Sequence, residues 1–220
     1  MNKRVISRAD LSPSSLSSGI GDVPFRSRIF LLSPANASGI KGQRLLSGTA
    51  QSEFAQRLTS SGVPLGEVYR FISSLYFRGK LDYAERFQNP PQGVPGVHII
   101  TGSGLILPET LVTLEKLRRI SATPIDAKNS QYRRLLDCDL LRLRELAGAD
   151  TDVILLGSVA TSKYTTPLQQ VFGNRLLFPR DFLGLGDMSR GSVLLRCCAQ
   201  ASELAYIPVE RILTIHHQPA

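Results

Sequence analysis

The run Arg28-Ile29-Phe30-Leu31-Leu32, halted by Ser33-Pro34, decides the fold. A short, continuous apolar stretch with a polar stop is the pattern of a strand buried on both faces, not of a half-exposed one. The same grammar recurs in Val97 to Thr101, ended by Gly102-Ser103-Gly104, and in Val153 to Leu156, ended by Gly157-Ser158. Arg175 to Phe178, closed by Pro179, is a weaker fourth strand. Helical patterns lie between them: Gln51 to Thr59, Leu65 to Phe87 with a break near Gly79, Pro108 to Ile120, Ser130 to Ala147, and Met188 to Ala205 with Asp187 as its N-cap. Strands alternating with helices predict an α/β fold with a largely parallel sheet covered on both faces.

The chain of 220 residues is long enough for one core, and 42% hydrophobic with 20% charged residues is ordinary globular composition. A single domain is expected over residues 27–210, flanked by a Ser-rich flexible arm over residues 1–26 and a short tail over 211–220. No apolar run approaches the roughly 18 residues that span a bilayer, so no membrane partner is expected. Cys138, Cys197 and Cys198 fit neither a disulfide framework nor a zinc site, which points to a reducing, cytoplasmic compartment. His98, His216 and His217 are too scattered for a metal cluster, so neither metal nor other cofactor is expected. The net charge of +8, carried mostly by arginine, fits an anionic partner or a basic surface serving solubility alone.

In a parallel α/β sheet ligands gather at the carboxyl ends of the strands. Four loops are therefore candidates: Ser33 to Arg44, Thr101 to Glu109, Gly157 to Tyr164 and Phe178 to Arg190. The first offers Asn36 to pair with a base edge or hold a water, and Lys41 and Arg44 to neutralise phosphate; it is also an ordinary solvated turn. The stretch Gly66 to Lys80 interleaves aromatics with basic residues, as stacking beside phosphate neutralisation requires, with Tyr76, Arg78 and Lys80 as contacts. Val68, Phe71, Ile72 and Leu75 fall at helical spacing and belong to a core face. Glu109 is a base or a first-turn partner of a helix dipole, and Asp187 is a cap or a ligand-orienting carboxylate. No Ser/His/Asp triad can be assembled.

Leu32-Ser33-Pro34-Ala35, the segment Leu75 to Phe87, Gly104-Leu105 with Pro108, and Gly184-Leu185-Gly186 together resemble the YaaA peroxide-stress family and its small relatives. The stretch Ser33 to Phe54, with Lys41 and Ser47, is also similar to a segment of archaeosine synthase, whose domain resembles the uracil-DNA glycosylase superfamily. The resemblance covers roughly Arg28 to Tyr206. It implies a three-layer αβα sandwich with a short, mostly parallel central sheet, and a nucleobase in nucleic acid, DNA foremost, as the partner. The cysteine that opens the archaeosine-synthase segment is replaced around Pro34-Ala35, and the glycosylase water-activating motif has no clear copy beyond Asn36.

The expected activity is therefore metal-free excision of a modified base by hydrolysis of its N-glycosidic bond. In that reading Asn36 or Asp187 orients a water, Ser33, Ser103, Gly104 and Tyr76 hold the base, and Lys41, Arg44, Arg78, Lys80 and Arg190 hold phosphates. The alternatives are a non-catalytic nucleic-acid-binding stress or antiviral defence protein, and a nucleoside or nucleobase transferase.

Overall fold

The computed structural model describes residues 26–73 and 75–216. In chain order the elements are β1 (Ser27–Leu32), α1 (Ile40–Ser47), α2 (Glu53–Ser60), β2 (Val63–Pro64), α3 (Leu65–Ile72), α4 (Leu75–Phe87), β3 (Val97–Thr101), β4 (Gly104–Ile106), β5 (Leu111–Val112), α5 (Leu114–Ala122), α6 (Ser130–Ala147), β6 (Thr151–Leu156), α7 (Ser162–Phe172), β7 (Leu176–Pro179), α8 (Asp187–Gln200), β8 (Tyr206–Pro208) and α9 (Val209–His216). The three expected buried strands are β1, β3 and β6, and the weaker fourth is β7. Ile29 to Leu32 are all 0% exposed, as a strand covered on both faces requires.

The main sheet of the described residues has the order β4-β3-β1-β6-β7-β8. Its centre, β3-β1-β6-β7, is parallel, and β4 and β8 close the two edges antiparallel. The chain moves from β1 to β3 in one direction and from there to β6 and β7 in the other. Right-handed crossovers in opposite directions must lie on opposite faces of the sheet. Helix α4 accordingly packs on β1 together with α8, while α6 and α7 pack together across the sheet. The result is the three-layer αβα sandwich. A smaller cluster of α1, α2, α3 and α5 surrounds the two-stranded β2-β5 ribbon.

Several boundaries differ from the sequence expectation, each for a local reason. The helical stretch Leu65 to Phe87 breaks at Ser73, whose backbone is extended, while Gly79 lies inside α4. Gly79 is there for packing, since an added Cβ would meet the Gly191 carbonyl of α8 at 2.9 Å. Pro108 does not open a helix. Antiparallel β4 carries the chain back to the amino edge, β5 follows, and α5 starts behind Thr113, whose side chain accepts from the Lys116 N–H.

The N-cap of α8 is Gly186 and Asp187 is its first helical residue, so Asp187 supports the helix through the macrodipole and not as a cap. That helix ends at Ala201, which adopts φ 51°, instead of running to Ala205. The expected tail from residue 211 begins inside α9, where Ile212 is 2% exposed against the core. The expected arm over residues 1–26 lies outside the described residues except for Arg26, which pairs with Asp152 at 3.2 Å. Among the described residues no helix is long and apolar enough to cross a membrane.

Candidate functional site

The crossovers that leave β1 and β6 depart on opposite faces and part at the carboxyl ends of these two strands. This is the switch point at which open α/β sheets take their ligands. Ser33 stands at the end of β1 and Gly157 at the end of β6. The Ser33 N–H donates to the Leu156 carbonyl at 3.0 Å, so the pairing of the strands continues to the rim. A Cβ on Gly157 would lie 3.1 Å from the Cβ of Ser33 and 3.4 Å from its Oγ, so glycine there leaves room for the Ser33 side chain, which is 8% exposed and whose Oγ donates to the Leu156 carbonyl at 3.4 Å.

Helices α4 and α8 bring the remaining groups. Tyr76 and Lys80 are one turn apart on the same face of α4. The Tyr76 hydroxyl donates to the Gly157 carbonyl at 3.4 Å, and its ring packs edge-on to Phe182. Burial pushes the Tyr76 phenol up to about 12, against the opposing pull of Arg190. Lys80 is 1% exposed, and its Nζ donates to the Ser33 carbonyl and, at 2.8 Å, to Ser33 Oγ. The ammonium nitrogen also lies 4.6 Å from the centre of the Tyr76 ring and 5.1 Å from that of Phe77. Burial pushes the Lys80 amine down to about 7; Asp187 works against that shift and Arg190 adds to it.

The structure corrects the expectation that Lys80 holds phosphate at the surface: the side chain is enclosed behind Ser33 and cannot meet a backbone phosphate. Arg78, two residues away on the helix, points from the other side of α4. It is 62% exposed and lies 3.6 Å from Asp82, so it does not join the cleft. Arg190 is in the cluster, but its guanidinium braces the rim by donating to the carbonyls of Phe182 (3.1 Å) and Gly157 (3.3 Å).

The first loop is compact. Asn36 is exposed three residues beyond Ser33, and its Oδ1 accepts from the Ser38 N–H at 3.0 Å, an Asx turn that leaves the amide NH2 facing outward. Gly42 lets α1 fold back on this loop, because a Cβ there would collide with the Ala37 backbone. Lys41 and Arg44 are exposed on α1. Ser103 and Gly104 form the β3-β4 hairpin one strand from Ser33. The Ser103 N–H donates to Thr101 Oγ at 3.0 Å, the Leu105 N–H donates to Asp139 at 2.8 Å, and Thr101 Oγ bonds the Gly104 carbonyl. The Ser103 N–H is thus used inside the turn, which corrects its expected role as a donor to a base. Glu109 is at the opposite, amino edge of the sheet.

That amino edge holds a cavity of about 550 Å³ lined by Glu67, Arg70, Glu85 and Glu109 among others. Arg70 there is paired with Asp82 and Glu85, and no Ser, Cys or Lys lines the space. The β1/β6 edge instead brings together a hydroxyl, a phenol, an amine, a carboxylate and a guanidinium. Residue types in the sequence point to Ser33, Tyr76, Asp187 and Arg190 but not to Gly157 as the rim partner. The pattern that signals Lys80 as an interior group is its place one turn from Tyr76 and next to Gly79, a helix-packing glycine.

No protein-family model, no curated protein and no solved structure matches this chain.

Proposed function

We propose that this chain is a metal-free hydrolase of N-glycosidic bonds in nucleic acid, DNA foremost, and that it works at the carboxyl edge of β1 and β6. The observation that carries the reading is the convergence of Ser33, Tyr76, Lys80, Asp187 and Arg190 at the switch point of the sheet. The crevice supplies what base excision needs: an enclosed hydroxyl to meet a base edge, an aromatic wall, and a carboxylate at the mouth to orient a water. The basic balance of the chain, 26 Lys and Arg against 18 Asp and Glu, supports a polyanionic partner. Lys41 and Arg44, exposed on α1 in the stretch that follows Ser33, are the phosphate contacts of this reading. The resemblance of the Ser33 to Phe54 stretch to nucleobase-handling proteins points the same way.

The test is incubation of the purified chain with single- and double-stranded DNA carrying one altered base at a time, followed by alkaline cleavage at abasic sites. Cleavage by the wild type that is lost in Asp187→Asn, with an unchanged melting temperature, supports the reading. Salt-sensitive binding to DNA without any abasic product would leave a non-catalytic binder in its place.

A further inference from the structure

We propose that Lys80 is the proton reservoir of this site and acts through Ser33, whose hydroxyl hands the proton to the departing base. The inference rests on the reading of the chain as an N-glycosidic hydrolase and adds to it the group that protonates the leaving base.

Three observations carry it. Lys80 is fully enclosed, and among the described residues no carboxylate reaches its Nζ at ion-pair distance; its hydrogen-bond partners are the carbonyl and the Oγ of Ser33. A lysine that only fastened a strand end would sit more cheaply at the surface, because an unpaired buried ammonium is strongly disfavoured. The partner hydroxyl belongs to Ser33, 8% exposed at the switch point beside Gly157, and the amine, 1% exposed, lies deeper than it. Ser33 Oγ accepts from Nζ at 2.8 Å and donates its own proton only over a long 3.4 Å contact to the Leu156 carbonyl, so a turn of the hydroxyl towards a bound base completes a two-member relay. The titratable and charged groups that face Lys80 are Tyr76 on its own helix and Asp187 and Arg190 on α8, while β1 and β6 present backbone and Ser33.

As the bond between C1′ of the sugar and the ring nitrogen breaks, its electron pair stays on the base. That base takes the Ser33 hydroxyl proton, and Ser33 Oγ takes a proton from the Lys80 ammonium. Water adds its oxygen to C1′ and loses a proton to Asp187. The proton on Asp187 returns through solvent and Ser33 to the neutral Lys80, which restores the site.

The experiment follows kcat for base release from about pH 6 to about pH 9 in wild type, Lys80→Met and Ser33→Ala, with KM and a thermal melt for each. In the wild type kcat should fall as pH rises through about 7, where Lys80 gives up its proton. Both variants should lose on the order of 10²-fold in kcat, with KM little changed in Lys80→Met, and in both the limb near neutral pH should vanish. A folded Lys80→Met that keeps the limb overturns the proposal, whether or not its rate is lower, because a purely structural lysine gives that result. Should Lys80→Met fail to fold, Ser33→Ala decides alone, since it removes only one oxygen and leaves the carbonyl contact to Lys80. A wild type that releases no base from any of the DNA substrates refutes the glycosidic reading itself, an outcome distinct from an unaltered pH profile in the variants.

Discussion

Gly79 of α4 and Gly191 of α8 meet backbone to backbone: a Cβ added at Gly79 would lie 2.9 Å from the Gly191 carbonyl, and one added at Gly191 would lie 3.0 Å from the Tyr76 Cα. This close crossing is what sets Tyr76 and Lys80 against Asp187 and Arg190. In an exposed helix Gly→Ala gains up to about 1 kcal/mol of stability. Here Gly79→Ala should instead cost about 1–3 kcal/mol, as overpacking does, because the obstacle is backbone that cannot rotate away. Urea unfolding of the variant measures this, and a stabilised Gly79→Ala would show that the helices are not in such contact.

Lys80 gives the molecule a specific dependence on pH. Burial lowers its amine from 10.5 to about 7 in the folded chain, so between these values the unfolded chain binds more protons than the folded one. Stability from this group should therefore rise as pH increases from about 7 towards 10.5, by at most about 1.4 kcal/mol per pH unit, and the Lys80→Met variant should lack that rise. Comparison of denaturant midpoints for the two proteins across this interval is the check. Parallel curves would mean that Lys80 titrates as an exposed lysine.

Phosphate contacts are expected on α1 and not on α4. Replacing Lys41 and Arg44 by Ala should flatten the salt dependence of DNA binding by about 0.9 in log-log slope for each phosphate that is no longer neutralised. Arg78→Ala should leave it unchanged, because that side chain faces away from the crevice and is engaged with Asp82. A fluorescence anisotropy titration at several salt concentrations separates the two, and a slope carried by Arg78 would move the nucleic-acid surface to the other side of α4.

At Asn36 the two ends of the amide do different things. Oδ1 holds the Ser38 N–H, and the NH2 group is free to meet a ligand. Asn36→Asp keeps the acceptor and removes the donors, so it should change stability by no more than about 0.5 kcal/mol. If the NH2 meets water or base, the same variant should lose on the order of 10²-fold in turnover. Full turnover in Asn36→Asp would confine the residue to its turn.

The centre of the fold was legible because β1, β3 and β6 are buried on both faces and so are continuous apolar runs. The edges were not. Gly104–Ile106 and Tyr206–Pro208 are three-residue strands whose pairing is set by neighbours distant in sequence, and no local period marks them. Helix α1 was hidden in a stretch that reads as loop, since Gly39, Gly42 and Gly48 resemble turn residues, whereas Gly42 serves close packing and Gly48 ends the helix at φ 78°. At the site, residue types pointed to Ser33, Tyr76 and Arg190, but the burial of Lys80 is signalled only by Gly79 beside it and Tyr76 one turn away, a pattern that charge outweighs. Charge patterning treats a lysine beside an arginine as surface, and only the Gly79–Gly191 crossing turns it inward.

The most direct test of N-glycosidic hydrolysis at this edge is the fate of solvent oxygen. Altered-base DNA is incubated with the wild type in water enriched in oxygen-18, and base and abasic strand are weighed by mass spectrometry. One heavy oxygen on the C1′ of the abasic sugar, trapped by borohydride reduction before it exchanges with solvent, and none on the released base is the expected result, formed about 10²-fold more slowly by Ser33→Ala. Release without label in the sugar, or no release at all, would contradict the account.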